Sequence, residues 1–146
     1  MKTMRPMSSL ALAFTLAVAG QAYAGGQQIQ VEVAKDARSL LVRTYHCGTP
    51  AEIAIVGSAE GIVNGQPKTV PLTLTRTAEA DVFSVARQWP ADGAWVLTFT
   101  NEKSAFVNAI VELVPGAALQ IASQESSRDK LSRGRISAAL RRLASR

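Results

Sequence analysis

The sequence predicts an all-β fold, an immunoglobulin-like antiparallel β-sandwich of seven or eight strands, on three observations. Short runs of alternating apolar and polar residues recur through residues 25–124, the period that sends every second side chain to one face of a pleated strand. Turn formers punctuate them, as in Gly48-Thr49-Pro50, Asn64-Gly65 and Pro115-Gly116, a rhythm typical of small sandwiches. No helical period is visible before residue 125. A small β-barrel is the alternative architecture.

Three segments are expected. Residues 1–24 read as a cleaved signal peptide: Lys2 and Arg5 open it, Leu10 to Ala19 is a short apolar run, and Ala22-Tyr23-Ala24 is an A-x-A cleavage pattern. The run is shorter than the ~20 residues that span a bilayer. Residues 25–124 form the sandwich, and residues 125–146 a basic amphipathic or flexible tail. Charge divides the same way. The body carries 7 Lys/Arg against 9 Asp/Glu, a net of −2, and the tail 7 against 2, a net of +5. The pI near 9.9 therefore belongs to the tail and leader, and a nucleic-acid binder is not indicated.

The strands follow in order. Gln27–Ala34 turns Ile29, Val31 and Val33 to one side, and Ser39–Cys47 follows a polar connector. Ala51–Val56 is read as a third strand, with Ile53 and Ile55 on one face, and Gly57–Lys68 as a turn-rich stretch. Thr69–Thr77 turns Val70, Leu72 and Leu74 inward, and Pro71 on the outward parity suggests an edge strand or a strand beginning. Ser104–Val114 alternates again, and Ala117–Ala122 supplies a last short strand.

Asp81–Thr100 is the expected centre of the core, read as one hairpin. Phe83, Val85 and Trp89 share a parity before Pro90-Ala91-Asp92-Gly93, and Trp95, Leu97 and Phe99 share one after it. Half of the eight aromatic residues lie here. Truncating either buried tryptophan to Ala is expected to cost on the order of 3–5 kcal/mol.

In the tail, Ser126 and Asp129 resemble a weak N-cap, and Ile136, Leu140 and Leu143 recur at helical spacing. Arg133, Arg135, Arg141 and Arg142 flank them, a pattern suited to an anionic membrane surface or an acidic partner. Such a tail is expected to be dispensable for folding.

Candidate chemistry is sparse. His46 and Cys47 are the only His and the only Cys. Adjacent, they could ligate copper or zinc, although neighbours on a regular strand point to opposite faces. A lone Cys is read as a buried inert thiol, with an intermolecular bridge or a reactive thiol as alternatives. No G-x-S-x-G elbow or phosphate-binding glycine loop occurs, so an enzyme is not expected, nor a cofactor. Trp89 and Trp95 would stack on sugar rings if they faced outward.

The motif Trp89-Pro90-Ala91-Asp92-Gly93-Ala94-Trp95-Val96-Leu97-Thr98-Phe99 resembles small bacterial envelope domains of the FixH/YtkA-like and CopC-like type. The resemblance covers residues 50–113 and implies a β-sandwich with an accessory role in the envelope, sometimes copper handling or oxidase assembly. No ligand residues are carried over from it. The expected function is that of a non-enzymatic periplasmic or secreted binding module, presenting a sheet surface, and through its tail a basic segment, to an envelope protein. Copper handling at His46/Cys47 and carbohydrate binding through surface aromatics are the alternatives.

Overall fold

In the computed structural model, which describes residues 26–146, the alternating runs become ten strands and one helix. The expected signal peptide lies outside the described residues. The strands are β1 (Gln27–Val33), β2 (Ser39–His46), β3 (Thr49–Pro50), β4 (Ile55–Val63), β5 (Gln66–Leu72), β6 (Thr75–Arg76), β7 (Val82–Ala86), β8 (Ala94–Asn101), β9 (Ser104–Leu113) and β10 (Ile121–Ser127). They form two antiparallel five-stranded sheets. The first runs β1-β2-β7-β6 with β3 on β2, and the second β10-β9-β8-β4-β5. Helix α1 (Arg133–Ala144) follows.

The core lies between the sheets. Ile29, Val31, Leu40, Val42, Phe83 and Val85 come from the first, and Ala59, Leu72, Trp95, Leu97, Phe99, Ala109, Val111 and Leu113 from the second. Trp89 joins them from the connection between β7 and β8.

Asp81–Thr100 is not a hairpin. β7 pairs with β2 and β6, whereas β8 pairs with β4 and β9. Residues 87–93 carry the chain from one sheet to the other, across a gap of about 10 Å. Parity misleads here for a physical reason. Two strands that face each other across a core show the same inward alternation as two strands side by side, so the period identifies the buried face and not the lateral neighbour. Phe83, Val85, Trp89, Trp95, Leu97 and Phe99 are all buried. The turn residues bend this crossover: the Trp95 indole N–H donates to the Asp92 carbonyl at 2.8 Å, and the Arg87 guanidinium sits 5.6 Å from the Trp89 ring centre.

The stretch expected to be turn-rich is a long hairpin. β4 pairs with β5 from Gly57↔Leu72 to Val63↔Gln66, closed by Asn64 and Gly65 at φ 50° and 76°, a two-residue turn that suits strand twist. Ala51 to Ala54 lies outside any strand, although Ile53 is buried. Gly57 and Gly61 are not punctuation. They stand opposite Phe99 and Trp95 on β8, where an added Cβ would fall 3.1 Å from the Phe99 ring and 2.5 Å from Trp95. Glycine leaves room in β4 for the two largest rings of its neighbour.

The sheet edges are managed. Both prolines of β5, Pro67 and Pro71, pair opposite Ile62 and Ser58; counted outward from the two-residue turn, these are positions whose N–H would point away from β4. Proline removes that donor, so this edge is a poor template for another strand. At the other side, the unpaired edge of β1 is bonded by side chains of β10: Val31 N–H donates to Gln124 Oε1 at 2.6 Å, and the Ser126 hydroxyl donates to the Ile29 carbonyl.

The basic tail is part of the fold. β10 runs through the boundary expected at residue 124 and pairs with β9 as far as Ser127↔Asn108. The helix starts at Ser132, not at Ser126; the Ser132 hydroxyl accepts from Arg135 N–H at 3.3 Å. Its apolar stripe packs on the outer face of the second sheet, where Ala139 and Leu143 meet Val96 and Ile110. That cover explains why both faces of β9 are buried from Asn108 to Leu113. Polar anchors reinforce it. Asn108, 1% exposed, donates to the Ala105 and Asp129 carbonyls and accepts from Arg135. Glu112, also 1% exposed, accepts from Arg142 at 2.7 and 3.0 Å and from Arg146 at 3.3 Å. A dispensable tail does not fit this arrangement: removing the helix would bare Val96, Ile110 and a carboxylate that burial makes costly to leave alone.

Candidate functional site

His46 and Cys47 end at the β2–β3 turn, both exposed. Cys47 and Gly48 adopt φ 53° and 76°, which lifts Cys47 out of the strand expected to contain it. The buried inert thiol is therefore corrected to an exposed one, its sulfur accepting from Gly26 N–H at 3.4 Å. Among the described residues, no three His, Cys, Asp or Glu side chains gather in a metal-binding group. Trp89 and Trp95 are 4% and 2% exposed, so neither ring is available to stack on a sugar.

The tail arginines are largely engaged within the fold. Arg133 pairs with Glu60, Arg135 with Glu125 at 2.7 Å, and Arg142 with Glu112. Arg141 is exposed and forms no ion pair with a described residue. On the outer face of the first sheet, Arg43 bridges Glu32 at 2.9 Å and Glu79 at 3.1 Å. These hydrogen bonds, Glu32 first, hold its guanidinium above its already high ordinary pKa, which fixes a permanent charge rather than a titrating one. No helix among the described residues is long and apolar enough to cross a membrane.

What remains is a groove that the sequence does not announce. The helix lies over β8 and β9 and contacts β4 more sparsely, leaving part of the outer face of β4, β5 and β8 uncovered. The floor is Val56, Ser58 and Glu60 from β4, Thr98 and Thr100 from β8, and Thr69 from β5; the wall is Leu131, Ser132, Arg133 and Ile136. Its volume is about 390 Å³, within the range of small-ligand sites. Register arranges the floor: Ser58 stands opposite Thr98, Val56 opposite Thr100, and Glu60 opposite Thr69. A second crevice, beside Trp89 and Pro115, has about 10 Å³ and no room for more than a water.

Among the described residues, the hydroxyls of Ser58, Thr69, Thr98 and Thr100 have no hydrogen-bond partner, and Glu60 uses one oxygen for Arg133. Thr98 is only 5% exposed. Every described side-chain nitrogen or oxygen fully shut from solvent has a partner, so the unbonded Thr98 hydroxyl must open onto the groove it lines. Thr98 thus buries its methyl and backbone while its hydroxyl faces the groove. The one sequence signal for this face is the outward parity of Val96, Thr98 and Thr100 between Trp95, Leu97 and Phe99.

The arrangement offers donors and acceptors on a rigid sheet, one acid and one base at the rim, and an apolar flank at Val56, Leu131 and Ile136. It can hold a ligand by hydrogen bonds and charge. Comparison with family models, curated proteins and solved structures gives no match to this chain.

Proposed function

We propose that this chain is an exported, non-enzymatic binding module, an immunoglobulin-like sandwich acting in the periplasm or outside the cell, whose binding face is the groove between α1 and the β4–β5–β8 surface. The observation that carries the reading is the groove itself, about 390 Å³ and floored by Ser58, Thr69, Thr98 and Thr100 on a hydrogen-bonded sheet. Rigid backbone hydrogen bonding on both sides of β8 supports it, because a preorganised surface loses little freedom when a ligand docks. The leader-like residues 1–24 support export, and the FixH/YtkA-like and CopC-like resemblance agrees with an accessory role beside an envelope protein. His46 and Cys47 take no part in this reading. With Arg133, Arg135 and Arg142 held in internal ion pairs, the tail serves as the groove wall rather than as a free basic arm.

A photo-reactive amino acid at Thr100, in the groove, and at Gln30, on the outer face of the first sheet, tests the assignment in producing cells. A covalent adduct is expected from position 100 and none from position 30. Adducts from position 30 alone would move the binding face to the other sheet.

A further inference from the structure

We propose that Asn64-Gly65, the tip of the β4–β5 hairpin, is a site of spontaneous backbone modification. Asn64 loses ammonia through a succinimide and re-forms as a mixture of aspartyl and isoaspartyl linkages. The site is independent of what the groove binds. The chain has three asparagines, and the fold treats them differently. Asn101 donates to Gln27 Oε1 at 2.6 Å and accepts from Lys103 N–H at 2.8 Å. Asn108 is buried, with its amide nitrogen and its oxygen both bonded. Asn64 is exposed, and among the described residues its side chain has no hydrogen-bond partner. The Gly65 N–H likewise bonds to no described backbone group. An added Cβ at Gly65 would meet nothing within 4 Å, so no side chain screens that nitrogen. Asp92-Gly93, the other acid-type residue before glycine, is shut by contrast. The Asp92 carbonyl accepts from the Trp95 indole, and a Cβ at Gly93 would fall 2.7 Å from the Ile62 carbonyl oxygen.

The chemistry follows from the atoms in place. The Gly65 backbone nitrogen gives up its proton to solvent and attacks Cγ of Asn64. The new C–N bond closes a five-membered ring, the Cγ–Nδ2 bond breaks, and ammonia leaves. Glycine favours this step because it brings no Cβ to crowd the ring. Water then opens the ring in one of two ways. Attack at Cγ restores the ordinary chain with an aspartyl side chain. Attack at the main-chain carbonyl leaves the chain running through Cγ, one carbon longer. The products differ in what they do to the hairpin. Asp-Gly suits the same two-residue turn as Asn-Gly, so the first product keeps it. The second lengthens a loop whose size sets the strand register, and the adjoining pairs Val63↔Gln66 and Ile62↔Pro67 lose their geometry. The turn also restrains the reaction. Ring closure needs a backbone rotation out of the left-handed conformation that holds Asn64 at φ 50°, so the tip must open first.

The test is an ageing series on the purified protein in mildly alkaline buffer, read by peptide mass mapping with fragmentation that separates the two linkages. The mass gain of exchanging an amide NH2 for OH is expected at Asn64, about tenfold or more faster than at Asn101 or Asn108. Asn64→Asp should show no such gain at this position and should keep the wild-type melting temperature. In the isoaspartyl fraction, isolated by chromatography, the Val63 and Gln66 amides should exchange with deuterium about tenfold or more faster than before ageing. The aspartyl fraction should keep its protection. No conversion at Asn64 in the folded protein overturns the proposal; conversion there in the guanidinium-unfolded chain would then show the turn to be a complete shield. Equal conversion of all three asparagines overturns it as well, since the fold would then select none of them. An isoaspartyl fraction with unchanged exchange at Val63 and Gln66 overturns the loosening of the hairpin.

Discussion

The two outer faces of the sandwich are built on opposite plans. The first sheet turns Gln28, Gln30, Glu32, Arg43 and Tyr45 to solvent, and its charges pair with one another across β1, β2 and the loop at Glu79. That face is complete without any cover. The second sheet turns Val96, Ile110 and Glu112 outward, and a helix from the far end of the chain covers the two apolar residues and pairs the carboxylate. The difference teaches that the helix does two things at once. It buries what lies over β8 and β9, and where its cover stops, beside β4, it leaves a walled groove.

The sharpest way to break that comparison is to remove the helix. Deleting residues 128–146 strips Ala139 and Leu143 from Val96 and Ile110 and removes the buried Ile136. At about 1.5–3 kcal/mol for each large apolar side chain returned to water, the loss is on the order of several kcal/mol. That is comparable to the whole stability of a small domain, about 5–15 kcal/mol. The truncated chain should lose its cooperative thermal transition by circular dichroism. A sharp melt at the wild-type temperature would show the helix to be an ornament.

A single guanidinium gives a finer contrast. Arg142→Ala leaves the buried Glu112 carboxylate with Arg146 alone, and should destabilise the protein by about 1–3 kcal/mol in urea unfolding. Arg43→Ala on the other face also removes an arginine from two carboxylates, but both of those lie in water, so its cost should stay under about 1 kcal/mol. If the two variants cost the same, the buried position of Glu112 is not what makes its pairing matter. The sign of the Arg43 shift adds a check. Its folded pKa is raised, so the stability it contributes is complete at every pH below its ordinary value and is lost only in strong alkali. The gap between wild type and Arg43→Ala should therefore be flat from neutral to mildly alkaline pH.

These contrasts also mark what could be read from the chain. The buried faces of β1, β2 and β8 were legible, because alternation reports which side chains point inward. Which strand lies beside which is not, and Asp81–Thr100 reads as a hairpin because facing and neighbouring strands share one parity. β4 was missed because Gly57 and Gly61 carry the signature of turns, while their role is to seat Phe99 and Trp95, a fact held by a different strand. The helical spacing of Ile136, Leu140 and Leu143 was visible. Its partner was not, since Val96 and Ile110 sit in strands already accounted for by the core between the sheets. The groove left still less trace. It exists where one element ends over another, and serines and threonines on the outward parity look the same whether a wall stands beside them or not.

The bonding of β1 by Gln124 and Ser126 has a consequence for how the chain comes into being. These partners are more than ninety residues apart, and long loops of this kind close slowly. Synthesis delivers β1 first and β10 almost last. Until residues 121–127 emerge, the outward Val31 N–H and Ile29 carbonyl are unpaired on a strand whose inner face is apolar, a ready template for a second unfinished chain. A stalled or prematurely terminated product ending before residue 121 would carry that open edge permanently. The last strand thus acts as a seal on the first, and only the finished molecule is safe at high concentration.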